Sequence, residues 1–185
     1  MKKVSVILLL ATFCIVFSCK KESVLDATFD CSTKRISNSE RVTDFKKNFS
    51  IVIPKKMKKE LYYNSFQSEI FAADTTKQLS ETFIIKISNN SGQLIYNDKF
   101  FKSIDSLSKI QEQILVESQI EPFKEKEMYW NVYKSTKKGF TFHQFNSYIK
   151  IANDSFINSV IEIYGDEKIN ERLCEAISIL KTIEF

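Results

Sequence analysis

Residues 128–164 read MYWNVYKSTKKGFTFHQFNSYIKIANDSFINSVIEIY, and this stretch decides the fold class. Met128, Trp130 and Val132 alternate with Tyr129, Asn131 and Tyr133, a period of two that predicts a strand with aromatic bulk on both faces. Lys137-Lys138-Gly139 supplies turn chemistry before Phe140–Ala152, and Asn153-Asp154 turns the chain again into Phe156–Tyr164. Strands joined by such short turns predict an antiparallel meander. Within the middle strand the alternation changes phase between Phe142 and Phe145, which predicts a bulge near His143.

Upstream, Phe49, Ile51 and Ile53 alternate with Asn48, Ser50 and Val52 until Pro54, and a short helical turn is expected through Tyr62. Phe66–Asp74 reads as a strand, and so does Thr82–Ser88, with Phe83, Ile85 and Ile87 inward. Asn97 can cap a long central helix in which Phe100, Ile104, Leu107, Ile114 and Leu115 follow helical spacing to about Glu117. Gln111 interrupts that stripe, either as a buried amide bonded to backbone or as a polar group facing a pocket. Downstream of Gly165, Glu167–Lys181 predicts an amphipathic terminal helix. The expected fold is α+β: an antiparallel sheet of about six strands, flanked by the long central helix and the C-terminal helix, in one domain over residues 45–185.

The N-terminus carries an address. Lys2 and Lys3 precede an apolar run, Val4 to Phe17, whose fourteen residues fall short of the about 20 needed to span a bilayer. Residues 1–18 therefore read as an export signal rather than as part of the fold. Val16-Phe17-Ser18-Cys19 resembles a bacterial lipobox, in which the cysteine thiol takes a diacylglycerol and the freed amine a further fatty acyl chain such as palmitate. The alternatives are ordinary secretory cleavage after Ser18 and an uncleaved anchor. Residues 19–44 are polar and without sustained period, and read as a tether able to reach up to about 80 Å.

Of the four cysteines, Cys14 leaves with the signal and Cys19 is the lipid acceptor. Cys31 and Cys174 remain. In an exported chain they either form a bridge that staples the N-terminal segment to the last helix or stay as two free thiols. Formal charge is +4, and +2 once Lys2 and Lys3 are removed, too near neutral to argue for nucleic acid. The basic run Lys55, Lys56, Lys58 and Lys59 reads as a solvated turn, or as a patch leaning on anionic headgroups. Glu121-Pro122-Phe123-Lys124-Glu125-Lys126-Glu127 reads as a solvated edge.

Three Gly and one His leave no phosphate-binding Gly loop and no His-cluster metal site, and no hydrolase or zinc motif occurs. No catalytic residue, cofactor or metal is expected. The candidate ligand pocket from sequence is Gln111, Trp130 and His143, each with a structural alternative as core or sheet surface.

Phe49-Ser50-Ile51-Val52-Ile53-Pro54-Lys55 resembles the entry strand of PsbP-like domains. Ile179-Leu180-Lys181-Thr182-Ile183-Glu184-Phe185 resembles their closing helix and last apolar residues. The resemblance covers residues 45–185 and extends to DcrB-like bacterial lipoproteins, and the Lys-, Ile-, Asn- and Phe-rich composition is similar to that of Bacteroidota envelope lipoproteins. It implies an α/β/α sandwich used for binding and assembly. Together these readings predict a cell-envelope (periplasm-facing) lipoprotein, membrane-held through its N-terminal lipid, that binds an envelope protein or component without catalysis. The alternatives are an envelope enzyme or small-ligand carrier, and an immunity or chaperone protein.

Overall fold

The alternation read from residues 128–164 becomes three long strands, and the rest of the chain is built around them. The computed structural model describes residues 23–32, 35–137 and 139–185. In chain order these form α1 (Val24–Phe29), β1 (Ser39–Thr43), β2 (Ser50–Pro54), β3 (Lys58–Tyr63), β4 (Gln67–Ala73), a 3-10 turn (Leu79–Glu81) and β5 (Ile84–Ser91). They continue with α2 (Asp98–Ile110), β6 (Ile114–Phe123), β7 (Lys126–Lys137), β8 (Phe140–Lys150), β9 (Ser155–Tyr164) and α3 (Ile169–Leu180). β1 and β2 form a separate hairpin, and the other seven strands form one antiparallel sheet in the order β3-β4-β5-β9-β8-β7-β6. The chain builds β3 to β5, crosses to the far edge by way of α2, and then folds back strand by strand until β9 closes against β5.

Strand periodicity sorts the two faces. Ala72, Ile85, Ile161, Phe145 and Val132 are successive cross-strand partners on one row, and they meet α1, α3 and the β1–β2 hairpin. Trp130 is fully buried there, stacked near Phe145 at 6.2 Å between ring centroids and 5.8 Å from Phe29 of α1. Leu173, Ala176, Ile177 and Leu180 of α3, Leu25 of α1, and Ile51 and Ile53 of β2 fill the same core. Each large side chain so buried contributes roughly 1.5–3 kcal/mol. On the opposite face, Phe100 and Phe101 at the start of α2 pack edge-on against Tyr129, Phe100 also against Tyr148, and Tyr96 just before the helix is tilted against Tyr129. The Tyr96 hydroxyl donates to the Tyr148 carbonyl at 2.6 Å and accepts from the Tyr129 amide at 3.2 Å. Burial pushes the Tyr96 and Tyr148 phenols up to about 12.

The expected α+β architecture is overturned. The chain is mostly β, with seven strands in the main sheet rather than about six, and it has no long central helix. α2 has 13 residues and stops at Ile110; Gln111 caps it and Glu112 turns left-handed at φ 53°. Ile114 and Leu115, which match helical spacing from Leu107, belong instead to β6. The run Ile114-Leu115-Val116 favours extended backbone once the helix has ended. Pro122 is accommodated because β6 is an edge strand. The expected helical turn through Tyr62 is strand β3. No register shift occurs in β8; the irregularity lies in β6 between Leu115 and Glu117. Phe142 and Phe145 break the alternation of polarity because aromatic side chains find cover on both faces.

The segment expected as a tether is also folded, from Ser23 onward. The Ser23 hydroxyl caps α1 by accepting from the Asp26 amide, and Leu25 and Phe29, one turn apart, are both buried. A six-residue helix is too short to show a sustained period, which is why composition alone suggested a tether. Ser50 of β2 and Glu184, just after α3, exchange backbone hydrogen bonds of 2.9 and 2.8 Å.

Candidate functional site

The half of the sheet that α2 leaves uncovered carries polar side chains at fixed strand spacing. Gln113 donates to Gln144 (3.3 Å), Gln144 to Asn146 (2.8 Å), Asn146 to Asn131 (2.7 Å) and Asn131 to the Tyr129 hydroxyl (3.3 Å). This is one chain of amides, each polarising the next. Beside it, the Lys86 ammonium meets the Glu162 carboxylate at 3.0 Å, and the Tyr164 hydroxyl donates to the same carboxylate at 3.3 Å. Of these groups, Lys86, Gln113, Gln144 and Glu162 border a solvent-open cleft of about 500 Å³ whose floor is β5, β9 and β8 and whose rim includes Gln111, Ser135 and Thr136, while Asn146 and Asn131 lie buried behind Gln144. The cleft offers amide donors and acceptors and one neutralised ion pair, which suits a polar, uncharged ligand surface.

The sequence-derived pocket residues do not come together. Gln111 is exposed at the end of α2 and lines the cleft. Trp130 lies on the other face in the core, and its indole Nε1 donates to Glu121 at 2.7 Å. His143 shares the Trp130 face but sits two rows away, opposite Lys134 and Ile163. Its pKa is lowered by burial first, then by Lys134 and Arg172, with Asp166 opposing. The pocket near Gln111, Trp130 and His143 is therefore set aside. The sequence reading did not single out Gln113, Gln144, Asn146 and Asn131; the spacing of two between Gln144 and Asn146 on β8 is the local signal that these two amides share a face.

A second groove of about 500 Å³ runs past the start of α3, bordered by Glu81, Glu167, Glu171 and Glu175 and by Lys77, Lys168 and Arg172. Its buried Arg172 is a clamp: the guanidinium donates to the carbonyls of Thr82, Tyr164, Gly165 and Glu167. We place the candidate site in the amide cleft because strands fix its groups, whereas the second groove is ringed by long charged side chains. Among the described residues no cluster of His, Cys, Asp and Glu could hold a metal ion, and no helix is long and apolar enough to cross a membrane.

Cys31 and Cys174 are joined, with an S–S distance of 1.99 Å and Cα atoms 5.2 Å apart. Cys174 is buried under the N-terminal segment rather than lying on an open helix flank. That segment is held at two further points. The buried Glu121 carboxylate accepts from the Val24 and Leu25 amides at 2.8 and 3.0 Å, and Lys181 of α3 pairs with Asp26. Glu121 is thus no solvated edge residue. The basic run is largely neutralised, Lys56 by Asp74 (3.1 Å), Lys58 by Glu60 (2.6 Å) and Lys59 by Glu40. Cys19 and the leader 1–18 lie outside the described residues.

No family model and no curated protein sequence matches the chain. A solved structure from Bacteroides thetaiotaomicron VPI-5482 is similar at a TM-score of 0.50 and 10% identity, over 80% of this chain and 48% of that one. This chain spans about half the length of that neighbour, and at such identity the likeness is one of fold.

Proposed function

We propose that the protein is a lipid-anchored binding module of the cell envelope, held to a membrane through Cys19, that receives a protein or envelope component in the amide cleft. The Cys31–Cys174 bond carries this reading. Disulfides persist in oxidising compartments such as the bacterial periplasm, and here one stands in a chain that opens with an export signal and a lipobox. The cleft supplies hydrogen-bonding groups without a nucleophile and base in mutual reach, which favours binding over covalent catalysis. A small-ligand carrier is the second reading, because a cleft of about 500 Å³ falls within the size range of small-molecule sites.

Mass analysis of the protein extracted from membranes tests the anchor. The expected first residue is Cys19 bearing a diacylglyceryl thioether and an acylated amine; an unmodified N-terminus elsewhere would refute it. Gln144→Ala with Glu162→Gln tests the cleft. Cross-linking to envelope components should fall while the unfolding midpoint stays unchanged, and undiminished cross-linking would place binding elsewhere.

A further inference from the structure

We infer that the β6 edge of the sheet, with the end of α2 beside it, is the surface that rests on the bilayer. This inference builds on the lipid-anchored reading above. The described residues begin at Ser23, and Glu121 of β6 grips the next two amides. Cys19 is four residues upstream, a leash of at most about 14 Å. The domain is therefore held against the headgroups rather than clear of them, and β6 is the strand whose side chain holds the first described turn of the chain. Six inter-strand spacings separate β6 from β3, so the opposite edge lies roughly 29 Å farther out.

The near edge has the chemistry for that position. Ile114, Leu115, Val116 and Ile120 on β6, and Leu107 and Ile110 on α2, are all exposed; Ile110 is 79% and Ile114 72% exposed. Ile114 and Leu115 point to opposite faces of the sheet, as their partners Lys134 and Tyr133 show, yet both are bare. A protein groove covers one side of a strand, whereas the headgroup layer, where water and polar headgroups still meet the edge's N–H and C=O groups, lets apolar side chains on both faces reach the acyl boundary. The irregularity between Leu115 and Glu117 interrupts the ladder at the same place, which disfavours pairing with a second copy. The far edge presents Leu61, Tyr62 and Tyr63 beside paired charges, beyond the reach of the leash unless the sheet lies flat.

Tryptophan reporters on the full, acylated protein test the orientation. The vesicles are phosphatidylethanolamine with a minority of phosphatidylglycerol, with or without brominated acyl chains. Trp130 is fully buried and gives a background to subtract with the parent protein. Val116→Trp, and independently Ile110→Trp, should shift to the blue on reconstitution and lose emission to brominated lipid, while Leu61→Trp should do neither. Acylated protein in which Leu61→Trp is quenched as strongly as Val116→Trp overturns the orientation alone. A Val116 reporter shielded without bromine quenching, in a protein that sediments as a dimer, gives the edge to a second copy and overturns it as well. Absence of acyl groups on Cys19 overturns both the anchor and the orientation.

Discussion

Two rows of the same sheet, one residue apart, have opposite characters. Ile85, Ile161, Phe145 and Val132 run across β5, β9, β8 and β7 on one face; Lys86, Val160, Asn146 and Asn131 run across the same strands on the other. The first row is sealed by two helices and a hairpin, with a disulfide and the Glu121 carboxylate clasping the cover in place. The second is covered by α2 only toward β7, and its amides bond one another in a chain that reaches the open cleft at Gln144. Stability is concentrated in the covered face, and the open face is left free to present chemistry. A one-residue register slip would exchange the two.

The covered face is most sensitive at Trp130. Trp130→Ala removes the largest fully buried side chain and one partner of Glu121, and should cost about 3–5 kcal/mol in chemical denaturation. A loss below about 1 kcal/mol would show that the covered face is not the seat of stability. Next in size is the clasp. Replacing both Cys31 and Cys174 by Ser opens a link across 143 residues and should cost about 2–5 kcal/mol. Hydrogen exchange should then rise first in α1, and unchanged exchange there would mean that Glu121 and Lys181 hold the segment unaided.

The smallest effect sharpens the boundary of the covered face. His143 is 8% exposed and its Nδ1 has no hydrogen-bond partner among the described residues. Its folded pKa lies below the ordinary 6.5, chiefly through burial, with Lys134 and Arg172 adding and Asp166 opposing. As pH falls through that ordinary value, the unfolded chain takes up the proton first, so stability present above it is lost below it. His143→Phe should flatten this part of the profile of unfolding midpoint against pH, and an unchanged slope would assign the loss to other groups.

Much of the sheet was legible because alternation is a local property. Phe83, Ile85 and Ile87, or Met128, Trp130 and Val132, announce their face without knowledge of their neighbours. β6 was not legible. Ile114 and Leu115 fit the helical stripe of α2, and only the turn at Glu112 and pairing to β7 separate them from it. Glu121 was hidden for a related reason: among alternating lysines it reads as solvated, and its burial depends on amides almost a hundred residues earlier. The cleft was legible least of all, since its amides come from β7, β8 and the α2–β6 turn.

The sequence by itself determined most of the strands, because alternation depends on residues close together in the chain; it also offered the lipobox reading and two candidate cysteines, whose pairing across 143 residues it left open. Tertiary structure decided that β9 closes between β5 and β8, that residues 114–123 are strand rather than helix, that the supposed tether is folded from Ser23, and that Trp130 and Gln111 lie on opposite sides of the sheet. These outcomes depend on which distant surfaces bury one another. That burial is non-local and non-directional, and a short stretch of residues carries no record of it.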